Sequence, residues 1–208
     1  MFRLAGAVMS KNDTFPFLEV RAVSFRHATV PVLHEINFRV DRGKILGIYG
    51  PSGTGKTTIL RLVAGLERPE SGMILRGDIV MSSPSALLPP HKRGCSMIFQ
   101  NFALWPHMTV YKHVQFVLPK GERAETAQKL DTILQAVELT EKQSCYPHEL
   151  SGGEQQRLAF ARALISQPDC LLMDEPLSNI DCTRRKKMLG LIQSIQSEKK
   201  HYYAVCDP

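Results

Sequence analysis

Residues 50–57 read Gly-Pro-Ser-Gly-Thr-Gly-Lys-Thr, which matches G-x-x-x-x-G-K-[ST], and this octet narrows the fold of the 208-residue chain more than any other segment. The pattern has physical meaning only between a buried strand and a helix, and both flanks are present. Residues 44–49 form a short apolar run that ends at Gly50, as a buried strand feeding a tight loop does. Residues 57–66 carry Leu60, Val63 and Ala64 at helical spacing, with Gly65 near the end. In such a loop the glycines let backbone N–H groups curl around a phosphate. The helix N-terminus adds partial positive charge, and Lys56 adds a full one. Gly50, Pro51, Ser52, Gly53, Thr54, Gly55, Lys56, Thr57 and Thr58 are therefore candidate triphosphate-binding residues, and the Thr57 hydroxyl is a candidate Mg²⁺ ligand.

Such a loop needs acids to complete it. Cys170-Leu171-Leu172-Met173-Asp174-Glu175 is an apolar strand that delivers two adjacent carboxylates to its C-terminal edge, where α/β sheets place ligands. Asp174 is positioned to join the Mg²⁺ shell and Glu175 to polarise an attacking water. Taken alone, an apolar run ending in Asp-Glu is a commonplace strand end with solvated acids; the loop at Lys56 changes that reading.

The rest of the chain fits one α/β domain, as its length suggests. Strand character over residues 17–24 and 30–40, around the turn-prone His27-Ala28-Thr29, predicts an antiparallel layer. Residues 72–81 return to strand character around Gly77, and residues 95–99 form another apolar run beyond a proline-rich stretch. Residues 109–137 turn helical, with Ala127, Leu130, Ile133, Leu134 and Val137 forming a stripe that buries one face. Residues 154–165 read as a helix, 184–196 as another, and 201–205 as a last strand.

The net charge of +6 suits an anionic partner without choosing one, and the basic run 184–187 reads as the solvated face of a helix. Five scattered cysteines with no CxxC spacing argue against a disulfide framework or a zinc site and fit a reducing cytoplasm. No window is apolar enough to span a bilayer, so if the protein serves a membrane, other chains do the spanning.

Phosphate loops serve GTPases, kinases, helicases and transport ATPases alike. Leu150-Ser151-Gly152-Gly153-Glu154-Gln155-Gln156-Arg157 separates them, because a Ser-Gly-Gly turn opening a helix is a second anion-binding N-terminus that one phosphate loop does not need. Just upstream of the Asp174-Glu175 strand, it resembles the signature of ATP-binding cassette transporters. Residues 99–110, with Gln100, resemble the glutamine loop of the importer branch; Tyr146-Pro147-His148-Glu149 and Pro176-Leu177-Ser178-Asn179-Ile180-Asp181 are similar to that branch too.

The resemblance implies a mixed central sheet with an N-terminal antiparallel β subdomain and an inserted α-helical subdomain. The nucleotide-binding core would span about 17–99 and 166–208, and the helical insert about 100–165. It implies ATP and Mg²⁺ as cofactors, Gln100 near the metal and its water, Ser151, Gly152, Gly153 and Glu154 against phosphate, and Asp181 in an aspartate loop. It implies a second cassette, as a homodimer, that caps each ATP with its own Ser-Gly-Gly helix. Permease subunits and, indirectly, a solute-binding protein are the other implied partners; no nucleic acid is expected. The location implied is peripheral, on the cytoplasmic face of the inner membrane.

Three departures accompany the resemblance. His27 stands where the family usually has an aromatic that stacks on adenine, and imidazole offers less stacking area. Cys206 stands at the histidine that contacts the γ-phosphate, and a neutral thiol cannot give imidazole's hydrogen bond. The sequence also stops at Pro208 with no regulatory domain, which leans the comparison towards the shorter, thiamine-type members. The expectation is intact ATP binding with weakened turnover. Alternatives are a nearly inactive cassette with a regulatory or structural role, and a soluble DNA-maintenance ATPase, which usually carries long coiled-coil insertions that this sequence lacks.

Overall fold

Apolar strands that end in glycine or acid lie side by side in a five-stranded sheet. The computed structural model describes residues 3–5, 17–118, 123–175 and 202–207, with backbone alone for 3–5, 123–124 and 202–207. The sheet order is β1 (Arg3–Ala5), β4 (Ile45–Tyr49), β9 (Tyr202–Asp207), β8 (Cys170–Asp174) and β7 (Cys95–Ile98). Only β1 runs antiparallel; the other four are parallel, so their C-terminal ends share one edge. β8 is buried along its whole length, as its unbroken apolar run requires.

A second, antiparallel sheet has the order β3 (Val30–Val40), β2 (Leu18–His27), β5 (Ser71–Arg76) and β6 (Ile79–Ser82). β2 and β3 are irregular where Ala22 and Glu35 take positive φ, and side chains repair the ladder there. Asn37 accepts from the Ala22 amide at 2.8 Å, and Ser24 from the Glu35 amide at 3.0 Å. Between the sheets lies α1 (Lys56–Ala64), whose Leu60, Leu62 and Val63 pack with Leu46, Ile48, Ile74, Met81 and Leu172. Burial of one such side chain stabilises by about 1.5–3 kcal/mol.

Arg93 fastens this core and is fully buried, held among the described residues by carbonyls and a hydroxyl. Its guanidinium donates to Leu62 and Val63 carbonyls at the end of α1, to Met81 O and Ser82 Oγ on β6, and to Leu88 O. Those helix-end carbonyls carry partial negative charge, so one cation completes the hydrogen bonding of several acceptors at once, Leu62 O sharing it with the Gly65 amide. Burial pulls the Arg93 pKa down from its ordinary value, the opposing electrostatic contribution coming from Cys95.

Among the described residues three α-helices form the remaining layer: α2 (Val110–Phe116), α3 (Arg123–Ala136) and α4 (Gly152–Ile165). One face of α4, with Ala159, Phe160, Ala163 and Leu164, packs on β7 and β8. The other, with Leu158, Ala161 and Ile165, packs with Val110, Val114, Leu130, Leu134 and Val137 of the helical layer.

The sequence reading needs several corrections. The helical stretch 109–137 is two helices, α2 ending at Phe116 and α3 starting at Arg123, with Pro119 and Gly121 between them, neither of which favours helix continuation. Leu130, Leu134 and Val137 are buried, but Ala127 is exposed. The strand 72–81 is a hairpin, β5 and β6, turning at Gly77. The last strand runs on through Cys206 and Asp207, and β1 was not anticipated. The helix expected over 184–196, with its basic run, lies outside the described residues.

Candidate active site

The loop after β4 closes on α1 without a side-chain cap. Gly55 is the N-cap at φ 92°, no side chain accepts from the first turn, and that turn has no acid. The N–H groups at the start of α1 thus face outward with the helix dipole behind them. A Cβ on Gly55 would meet Leu33 at 2.8 Å and Val32 at 2.9 Å, so β3 packs directly beneath the loop. At Gly53 a Cβ would meet nothing within 4 Å, which leaves the mouth of the loop open to a ligand. Lys56 is 5% exposed, and its ammonium donates to Gly50 O at 2.6 Å and Pro51 O at 3.1 Å, folded over the loop it lines.

Strand order brings the acids to this loop. β9 separates β4 from β8, and register sets Ile48, Cys206 and Asp174 level with one another. Asp174 is 4% exposed, and its Oδ1 accepts from the Thr57 hydroxyl at 3.0 Å. Burial holds the Asp174 carboxyl above its usual range; the Thr57 hydrogen bond opposes this, Glu175 adds to it, and Lys56 and Arg61 oppose it. A desolvated carboxylate beside a hydroxyl is a hard oxygen pair suited to Mg²⁺, whose charge relieves the burial penalty.

Glu175 follows at φ 47°, a left-handed conformation that costs a non-glycine residue about 1–2 kcal/mol and is typical of functional sites. Its Oε2 accepts from Gln100 Nε2 at 2.9 Å, which ties the ends of β7 and β8 together.

Residues that sequence reasoning missed hold the loop after Gln100. Phe102 and Ala103 both have positive φ. Arg162 of α4 donates to Ala103 O at 2.6 Å and Phe102 O at 2.7 Å, with its guanidinium 4.9 Å over the Trp105 ring. His113 of α2 is fully buried; its Nε2 accepts from the Trp105 amide at 2.8 Å, so Nδ1–H donates to Thr109 O at 2.9 Å. Burial, partly offset by the Thr109 bond, lowers the His113 pKa and favours this neutral imidazole; Arg162 and His107 lower it further. No residue pattern signals either anchor: Arg162 reaches the loop from a distant helix, and His113 bonds Trp105 only because α2 turns its ring back on the loop eight residues earlier.

Ser151 caps α4, and the cap is closed by Glu154. The Glu154 carboxylate accepts from the Ser151 amide and from its hydroxyl, both at 2.8 Å, while the Glu154 amide donates to Ser151 Oγ at 3.4 Å. The backbone and side-chain bonds from Ser151 hold the Glu154 pKa below its usual range. Gly152 is exposed, with nothing within 4 Å of a would-be Cβ. Gln155 donates to Pro147 O at 2.9 Å and Leu150 O at 3.2 Å, fixing the approach to the cap.

The remaining candidates are placed as follows. His27 is exposed at the end of β2, a few residues from Val32 and Leu33 under the loop. The Cys206 backbone lies between β4 and β8. Asp181 lies outside the described residues. Among the described residues no helix is long and apolar enough to cross a membrane.

A glycine-rich loop at a helix start, facing strand-end acids on a parallel sheet, defines a nucleoside-triphosphate-binding α/β domain. The chain belongs to the ABC transporter family, whose pattern matches residues 33–178. It is 40% identical over 183 residues to the spermidine/putrescine import ATP-binding protein of Chromobacterium violaceum, covering 87% of this chain and 50% of that protein. It is 41% identical over 173 residues to the trehalose/maltose import ATP-binding protein of Thermococcus litoralis (81% and 46%). To the glucose import ATP-binding protein of Saccharolobus solfataricus it is 37% identical over 176 residues (83% and 50%). The chain spans about half the length of these curated relatives. Among solved structures it resembles a dimeric post-hydrolysis state of an ATP-binding cassette bound to ADP and Pi, with TM-score 0.79 and 25% identity over 91% of this chain and 87% of that one.

Proposed function

We propose that this chain is the ATP-binding, ATP-hydrolysing subunit of a transporter that imports a small solute through separate permease chains. The observation that carries the reading is the meeting of Thr57 with Asp174 and of Gln100 with Glu175 at one sheet edge, beside an uncapped helix start. The amides of Gly53 to Thr58 and the Lys56 ammonium bind the β and γ phosphates of ATP. Thr57 and Asp174 would hold Mg²⁺, with Gln100 near it, and the ion supplies charge neutralisation there. Glu175 orients a water for in-line attack on the γ-phosphorus and takes its proton as the bond to ADP breaks. Gln100 holds that carboxylate in place.

The start of α4 has its glycine amides exposed and lies on the helical layer, so it caps ATP on the loop of a second copy. Head-to-tail closure on ATP and reopening after hydrolysis then move the permease, at the cytoplasmic face of the membrane. The exposed Phe116, packed edge-on to Trp105 at 5.1 Å, offers the permease an aromatic contact beside the Gln100 loop.

One observation favours slow turnover: the backbone of Cys206 lies level with Asp174, and a neutral thiol is by its chemistry a weaker hydrogen-bond donor than an imidazole. Phosphate release from Mg-ATP by the purified chain tests both readings. Activity lost in Lys56→Ala and Glu175→Gln and raised in Cys206→His supports them. Activity unchanged in Glu175→Gln contradicts the first, and a Cys206→His rate no higher than wild type contradicts the second.

A further inference from the structure

Two cysteines that are far apart in the sequence are neighbours in the sheet. Cys95 opens β7, Cys170 opens β8, and the parallel register pairs them directly. Both belong to the face packed on α1, with Met97 and Leu172. Cys95 is partly exposed and Cys170 buried, and the two thiols, side by side across the ladder, shift each other's titration. The Cys95 thiol also reaches the Arg93 carbonyl at 3.4 Å.

We propose that Cys95 and Cys170 are a redox site, a dithiol that a hydroperoxide converts to a disulfide and a small thiol reduces again, and that its closure disturbs the Gln100–Glu175 contact. The Cys95 thiolate attacks the peroxide oxygen, giving a sulfenic acid and releasing hydroxide, which takes up a proton. The Cys170 sulfur then attacks the Cys95 sulfur, losing its own proton as hydroxide leaves and becomes water. Two thiols are oxidised by two electrons, and one hydroperoxide is reduced.

The chemistry favours this order of attack. The Cys170 hydrogen bond, with Arg76 and Arg93 nearby, holds the Cys95 thiol below its ordinary pKa against burial and Asp169; Cys170 is pushed up, first by its bond to Cys95 and then by burial. The thiolate is the nucleophile, so the partly exposed Cys95 reacts first and the buried Cys170 resolves it. Adjacent strands lie about 4.8 Å apart, within the Cα range of a disulfide. A disulfide prefers Cα atoms about 5.5–6 Å apart and Cβ atoms about 3.8 Å apart, so closure shifts the strand starts from their ladder spacing. A bond made under strain is easily reduced, which suits a reversible site. The two strands end at Ile98 and Asp174, and Gln100 and Glu175 follow five residues from the cysteines, about 16 Å at the usual rise, so a shift at the strand starts is carried to the catalytic edge.

The effect on turnover rests on the ATPase reading; the formation of the disulfide does not. The test treats the full chain with hydrogen peroxide, maps its peptides under non-reducing conditions by mass spectrometry, and measures ATP turnover before and after dithiothreitol. We expect a Cys95–Cys170 linked peptide, together with a loss of turnover of about tenfold, since misplacement by about 1 Å suffices. Dithiothreitol should reverse both, and Cys95→Ala and the volume-conserving Cys170→Val should be spared. Oxidation of Cys95 to sulfinic acid with no linked peptide overturns the redox site. A linked peptide with unchanged turnover, or equal loss in Cys95→Ala, overturns the connection to the active edge. A reduced chain that fails to hydrolyse ATP counts against the ATPase reading, and the peptide map still decides the redox site.

Discussion

Replacing Arg162 by alanine should lower turnover far more than ATP affinity. The guanidinium makes two charge-assisted bonds to the carbonyls of Phe102 and Ala103, at 2.7 and 2.6 Å, each worth about 1.5–3 kcal/mol. It also stacks over Trp105, which adds about 0.5–1 kcal/mol. Against this, Phe102 and Ala103 sit at φ 61° and 45°, and letting both relax returns about 1 kcal/mol each. Removing a partly buried cation returns some desolvation energy as well, since burial holds the Arg162 pKa down. The balance is a loss of about 2 kcal/mol, enough to free the loop that carries Gln100 towards Glu175 and to lower Tm by about 4–8 °C. The phosphate loop lies on another element and keeps its geometry. The assay pairs steady-state turnover at saturating Mg-ATP with ATP affinity by calorimetry. We expect turnover down by about tenfold or more, affinity within about twofold, and Arg162→Lys in between because a point charge lacks the planar fork. An affinity that falls as far as turnover, or a variant indistinguishable from wild type, refutes the reasoning.

Other consequences are more direct. Asp174→Asn should raise the Tm of the nucleotide-free protein while abolishing Mg-ATP turnover, because it removes a desolvated charge; a lower Tm contradicts the burial argument. The sign in pH follows: a carboxyl whose folded pKa is raised binds more protons folded than unfolded, so its contribution to stability falls as pH rises from the ordinary aspartate pKa of 3.8 through the raised value. The Tm difference between Asp174→Asn and wild type should therefore widen over that window in thermal melts. Arg93→Met removes five hydrogen bonds that tie the end of α1 to β6 and to Leu88, and should cost about 3–5 kcal/mol in urea unfolding. Ser151→Ala removes the α4 cap and should cost about 1 kcal/mol by the same measurement.

The parts of the site that could be read from the sequence are those whose chemistry is local. A phosphate loop must sit between a strand and a helix, and acids at a strand end must follow an apolar run; both patterns lie within a dozen residues. The hairpin of β2 and β3 was legible for the same reason, since its turn at His27-Ala28-Thr29 is contiguous. What could not be read depends on contacts between distant segments. Arg93 looks like any surface arginine until α1 and β6 supply carbonyls for it. Arg162 acquires meaning only when α4 meets the loop at Trp105, whereas His113 is sequence-local and gives no sign because a buried imidazole follows no spacing rule. Cysteine spacing along the chain disclosed nothing of Cys95 beside Cys170, because register in a parallel sheet is set by the elements between the strands. The Ser-Gly-Gly helix was correctly placed, but the Glu154 carboxylate that closes its cap shows only in three dimensions.

The central claim is that ATP on the loop at Lys56 is completed by the α4 start of a second copy. Sedimentation of the Glu175→Gln chain with Mg-ATP measures this directly. The account expects a monomer without nucleotide and a dimer holding two ATP molecules with it, reverting to monomer when Ser151 and Gly152 are both replaced by glutamate. A chain that binds ATP one-to-one and stays monomeric at every concentration contradicts it.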